Sequence, residues 1–265
     1  MYSGKIIDFH AHIFPDKLAE KASHSIGSFY DLAMSNSGSV KALLESSKPF
    51  NVEHYIVHST ATTHHQVKSI NNFIHEEVLK HPRFIGFMTL HPDMDRAEIR
   101  EEIALAIERG MRGIKLHPDF QHFYVDDPKV YAMYEEAEGK LPILFHAGDK
   151  RYDYSAPSRI ASVAKSFPDL ECIAAHLGGY NRWQDIKYYD GIDNVYFDSS
   201  STSFFFDPED NMKLIETLGV DRIFFGTDFP MWTYRDELER MDALPLSDED
   251  REKIYYLNAK KFLKL

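Results

Sequence analysis

His10 and His12 stand two residues apart where a short apolar run that opens at Lys5 comes to its end. Successive side chains of an extended backbone alternate between faces, so this spacing turns both imidazoles to one side. His146, His176 and Asp228 each close another β-branched or aromatic run, Asp228 in Phe224-Phe-Gly-Thr-Asp228. Three imidazoles and a carboxylate suit a divalent ion such as zinc and leave a position for water in a catalytic site. Any one histidine at a strand end is an ordinary hydrogen-bonded residue. A paired His, two single His and an Asp at the same end of four different strands form a set that random placement rarely produces.

Such side chains can meet only if the elements carrying them converge. Eight short β-rich runs alternate with amphipathic, charge-laced stretches: Lys5 to His10, His54 to Thr60, Phe84 to Leu90, Gly113 to His117, Pro142 to His146, Leu170 to His176, Asn194 to Asp198 and Arg222 to Gly226. Helices are expected near Val40 to Ser47, Gln66 to Lys80, Ala97 to Arg109, Pro128 to Gly139, Ser158 to Ser166 and Glu209 to Leu218, with a weak one near Asp185. Tyr234 to Met241 and Asp248 to Phe262 follow the last strand. Asp127-Pro128 and Asp207-Pro208 put an N-cap carboxylate before a proline, Ser247 to Asp250 has capping-box spacing, and Gly110, Gly139 and Gly219 stand where helices should stop. Strands each followed by a helix demand a parallel sheet, and eight of them close a (β/α)8 TIM barrel, here one domain over residues 1–265. An open doubly wound sheet would carry a glycine-rich turn after its first strand, where this chain has His10-Ala-His12. The connection Ile13 to Ser39 would lie over the face where barrel active sites are built, either as a lid or as an ordered, partly helical segment.

Composition narrows the partners. Lys and Arg total 30 against 42 Asp and Glu, and the net charge of −12 would repel a polyphosphate backbone, so nucleic acid is excluded as the expected partner. The single cysteine, Cys172, permits no internal disulfide, and no apolar run approaches the ~18 residues of a membrane span. With no basic-then-apolar leader pattern, the expected setting is the cytoplasm, with no membrane partner, and common symmetry makes a homodimer the expected assembly.

The chain resembles the amidohydrolase superfamily, and most closely its amidohydrolase-related branch, which includes aminocarboxymuconate semialdehyde decarboxylase. The resemblance rests on Ile7-Asp-Phe-His-Ala-His12, Gly113-Ile-Lys-Leu-His-Pro118, Pro142-Ile-Leu-Phe-His-Ala-Gly148, Ala175-His-Leu-Gly-Gly179, Asn194-Val-Tyr-Phe-Asp198 and Gly226-Thr-Asp-Phe-Pro230, and extends to the tail Asn258-Ala-Lys-Lys-Phe262. It implies that His10, His12, His146 and Asp228 bind one divalent ion, Zn2+ first and Mn2+ or Fe2+ next, and that His176 lies beside the metal-bound water. Bound metal lowers the pKa of its water, a neighbouring imidazole can take or steer the proton, and Asp228 would pass it to the leaving group.

Strand 4 is a fork. Lys115 and His117 share a face, and Lys115-Leu-His-Pro118 looks like the dihydroorotase segment in which a carboxylated lysine bridges two metals. The related branch usually keeps one metal, and an uncarboxylated lysine is cationic, so Lys115 and His117 are expected to meet a small, anionic substrate. Arg151, Arg182, Trp232 and Arg235 are weaker candidates for the same task, and His58 and His91 are expected to be structural. The main expectation is hydrolysis of a C–N or C–O bond in an amide, lactone or related small carbonyl compound. The alternative is a metal-dependent decarboxylase, and third is a barrel that has kept its ligands and lost catalysis. Fold alone does not choose among them.

Overall fold

The computed structural model describes residues 2–265. Its eight strands are β1 Ile6–His12, β2 Val52–His58, β3 Phe84–Thr89, β4 Gly113–Leu116, β5 Ile143–Phe145, β6 Cys172–Ala174, β7 Val195–Asp198 and β8 Ile223–Phe224. They follow one another in a single sheet in the order β1 to β8, with helices between, which is the (β/α)8 barrel expected from the alternation. Every residue of β1 and β3 is buried, as strands covered on both faces must be.

By contacts the chain forms two compact units. One holds the chain up to Val57 together with Ser199–Leu265 and so carries β1, nearly all of β2, and β8; the other is His58–Asp198. In the first unit β8 lies beside β1: Phe9 N–H donates to the Phe225 carbonyl at 2.8 Å and His12 N–H to that of Phe229 at 2.7 Å. Phe9, Phe224 and Phe262 fill the space beneath, the first two stacked at 4.3 Å. The last helices, Asp248–Glu252 and Asn258–Leu263, flank a π-helical stretch Lys253–Leu257, and Asn258 Nδ2 donates to the Val220 and Ile223 carbonyls, both at 2.8 Å, which ties this tail to β8.

In the second unit β3 to β7 pair in parallel, with registers such as Lys115 opposite Leu144 and Phe145 opposite Ala174. Asn71, on the helix Val67–Lys80, accepts the Thr89 N–H at 2.8 Å and donates to the Thr89 carbonyl at 3.1 Å, so one buried amide satisfies the end of β3 and fixes the helix against it.

The local punctuation reads as expected. Asp127, Asp207 and Ser247 accept the N–H groups of Lys129, Asp210 and Asp250, and Gly110, Gly139 and Gly219 take positive φ of 75°, 70° and 86°. The connection after β1 contains a helix, Asp16–Tyr30, which is the ordered, partly helical form of the two expected, and the weak helix expected near Asp185 is instead a 3-10 turn over Trp183–Tyr189. No helix among the described residues is long and apolar enough to cross a membrane.

Candidate metal centre

In the first unit three of the four expected metal ligands, His10, His12 and Asp228, converge. His10 Nε2 and His12 Nε2 are 3.2 Å apart, and Asp228 Oδ1 lies 3.4 Å from the first and 3.5 Å from the second. An ion bound tetrahedrally at ~2.0 to 2.1 Å from each ligand requires its donors about 3.3 to 3.4 Å apart, so the spacing fits a divalent ion without rearrangement. The donor set also fits, being two imidazoles and a carboxylate oxygen.

The chain around these atoms fixes their direction. Ser200 Oγ lies 3.2 Å from His10 Nδ1; a proton on Nδ1 shared with that hydroxyl leaves the Nε2 lone pair for a metal. Asp8, fully buried one turn of the pleat before His10, accepts the N–H groups of His10 at 3.1 Å and Thr227 at 3.0 Å, the Thr227 hydroxyl at 2.7 Å and the Tyr234 hydroxyl. It thereby joins β1 to the turn that presents Asp228. Asp228 takes φ of 53°, a left-handed backbone that a non-glycine residue holds only when its surroundings over-determine it.

The second unit gathers another group. His146 and His176 meet at 3.0 Å through Nδ1 and Nε2, His146 Nε2 lies 3.4 Å from Asp119 Oδ2, and the His117 ring stacks on that of His146 at 4.1 Å. His176 is held by its backbone: its N–H donates to Asp198 Oδ1 at 3.2 Å, and its carbonyl accepts the Trp183 indole at 2.8 Å. Gly148 allows this packing, because a Cβ there would stand 2.8 Å from the Tyr180 carbonyl oxygen. Lys115 is completely buried. Among the weaker candidates, Arg151 is bound to Asp149 at 2.6 Å and Arg182 to Asp153 at 2.6 Å, while Arg235 is a surface residue near Glu239.

Sequence reasoning missed Asp119, Ser200 and Ser201. Asp119 stands two residues after His117, and the two serines lie in the hydroxyl run Ser199 to Ser203 directly after β7, a position where a run of small polar residues is itself a signal.

Three buried carboxyls hold their protons unusually tightly. Burial is the main cause at each: it pushes Asp8 up to about 6, Asp119 to about 7 with help from the Asp149 carboxylate, and Glu237 to about 8 despite the Arg240 guanidinium. An unfolded chain releases these protons near the ordinary 3.8 to 4.5. Between those limits the fold binds more protons than the unfolded chain, so the contribution of these groups to stability falls as pH rises. Glu237→Gln removes the group with the highest value, and in chelator-stripped protein it should flatten the decline in denaturation midpoint between about pH 5 and 8. An unchanged slope would show that Glu237 ionises normally.

Fold and side-chain set define a class: a (β/α)8 barrel with two imidazoles at the end of its first strand and a carboxylate just beyond its last, arranged as a metal site would require. The amidohydrolase family model matches residues 7–265, and the chain belongs to that family. It is an enzyme of the amidohydrolase superfamily, as the motifs implied. Solved structures agree in fold. An uncharacterised TIM-barrel protein from Bordetella bronchiseptica is 20% identical, with a TM-score of 0.81 and 98% of each chain covered. A dihydroxybenzoic acid decarboxylase from Polaromonas, with bound manganese and the inhibitor 2-nitroresorcinol, is 18% identical, with a TM-score of 0.76 over 100% of this chain and 98% of that one. A 5-carboxyvanillate decarboxylase from Sphingomonas paucimobilis is 16% identical, with a TM-score of 0.73 over 98% and 99%. At these identities the likeness is one of fold.

Proposed function

We propose that this protein is a metal-dependent decarboxylase of a small carboxylate substrate, with one divalent ion held by His10, His12 and Asp228 and completed by His146. The observation that carries the reading is the triangle of two imidazole nitrogens and one carboxylate oxygen at 3.2 to 3.5 Å. Strand ends converge at one mouth of such a barrel, which is the reason for adding His146, just after β5. The named decarboxylases of the same fold, one of them with manganese, favour carbon dioxide release over hydrolysis and Mn2+ beside Zn2+ as the ion.

When bound, the ion would supply a Lewis acid that polarises a substrate oxygen. The chain's own groups do the rest. Decarboxylation breaks the bond between the carboxylate and its carbon, leaves the electron pair on that carbon, and requires a proton there; His176 is the proposed donor. Lys115 and His117 would face the anionic substrate, with Lys115 uncarboxylated, and the assembly would be a homodimer.

Hydrolysis of an amide or lactone is the second reading, because the same triangle with Asp228 as proton carrier would serve it. Purified protein loaded with Mn2+ or Zn2+, its content fixed by elemental analysis, should release carbon dioxide from a hydroxylated aromatic acid and leave lactones and amides untouched. The reverse pattern would establish the hydrolase. Two ions per chain, with a lysine heavier by the mass of carbon dioxide, would overturn the one-metal site.

A further inference from the structure

Ser201 is fully buried, and its Oγ lies 2.5 Å from Asp228 Oδ2. The indole Nε1 of Trp232 lies 2.9 Å from the same serine oxygen. An indole N–H can only donate, so Ser201 Oγ accepts from Trp232 and must direct its single proton elsewhere. Two acceptors are within reach: Asp228 Oδ2, and Met231 Sδ at 3.7 Å. A carboxylate is a far stronger acceptor than a thioether, which commits the proton to Oδ2. The polarity of this short chain therefore follows from chemistry alone, with Trp232 donating to Ser201 and Ser201 to Asp228. With Oδ2 engaged, Oδ1 is the oxygen that faces His10 and His12.

We infer that Ser201 and Trp232 are positioning residues that set Asp228 as a one-oxygen metal ligand through Oδ1, with Trp232 acting through Ser201. The inference rests on the reading of His10, His12 and Asp228 as a metal site. Two observations support it further. The Arg240 guanidinium lies 4.4 Å from the centre of the Trp232 ring and is itself paired with Glu237, so a fixed cation over the indole draws electron density from its N–H and strengthens it as a donor. Ser201 and Asp228 both take left-handed backbones, at φ of 51° and 53°, and the bond between their side chains helps hold both turns.

The test uses the full chain, stripped with chelator and titrated with Mn2+ and with Zn2+ by calorimetry. Ser201→Ala should weaken the ion's Kd by ~10- to 100-fold, the range for partners that orient a metal ligand. Trp232→Phe, which keeps an aromatic ring and removes the N–H, should weaken it less. The double variant Ser201→Ala/Trp232→Phe should be no weaker than Ser201→Ala alone, because the indole has no route to Asp228 without the hydroxyl. A merely structural role for the two side chains would make their losses add.

Ser201→Gly also lacks the hydroxyl and accepts the positive φ without strain, so it replaces Ser201→Ala should that variant fail to fold. A wild-type Kd in Ser201→Ala or Ser201→Gly, or additive losses in the double variant, would overturn the inference. Wild-type protein that binds neither ion would overturn the metal reading itself, and the relay with it. Weakened Kd in the serine variants with a non-additive double supports both.

Discussion

His176→Ala is expected to retain the metal and lose turnover by ~10²- to 10⁴-fold, the contribution typical of one positioned acid or base. The residue is suited to a clean test because its backbone is anchored independently of its ring. Its N–H is bound to Asp198 and its carbonyl to the Trp183 indole, so removing the imidazole should leave the turn in place. His176→Asn keeps polarity but cannot deliver a proton near neutral pH, and it should fail to a similar extent if proton transfer is the role. Elemental analysis and turnover on the substrate found by the assay above would be read on the same preparations. If Asn restored the rate, orientation would be the better account. If Ala emptied the site, His176 would be a ligand.

The other large effect is expected at the first strand. His10→Ala or His12→Ala should abolish stoichiometric metal, with affinity lowered by more than the ~100-fold that marks loss of a mere orienting partner, and activity should fall with it. Each removes one corner of the 3.2 to 3.5 Å triangle, so the ion would rest on the two remaining corners and His146 and be held far more weakly. The fold should persist. β1 is buried along its length by Phe9 and its apolar neighbours and hydrogen-bonded to the segment beyond β8 through backbone groups that neither substitution touches. A metal content equal to wild type in both variants would mean that the site lies elsewhere.

Much of this was legible before any coordinates, and particular residues show why. That His10, His12 and Asp228 come together is legible because an extended strand has a period of two and because a residue at or just beyond a strand's end needs little more than the strand to be placed. The caps at Asp127 and Asp207 were legible because an N-cap bonds to a backbone three residues away or fewer. The helix Asp16–Tyr30 was harder: it carries Gly27 and several serines, which lower helix propensity, and the structure recovers it through an amphipathic face that buries Ala19 and Ser23.

Sequence by itself determined the class of fold and the family, because both are written in local periodicity and in motifs a few residues long. Only the tertiary structure decided which atoms of the candidate ligands face one another. Asp228 presents Oδ1 because Ser201, 27 positions earlier, holds Oδ2, and the turn that carries it is fixed by Asp8, 219 positions from Thr227. His146 finds Asp119 and His176 as neighbours for the same reason. Those contacts join side chains far apart in the chain, several of them carried on left-handed turns at His176, Ser201 and Asp228, and neither such contacts nor such turns leave a periodic trace in the order of amino acids.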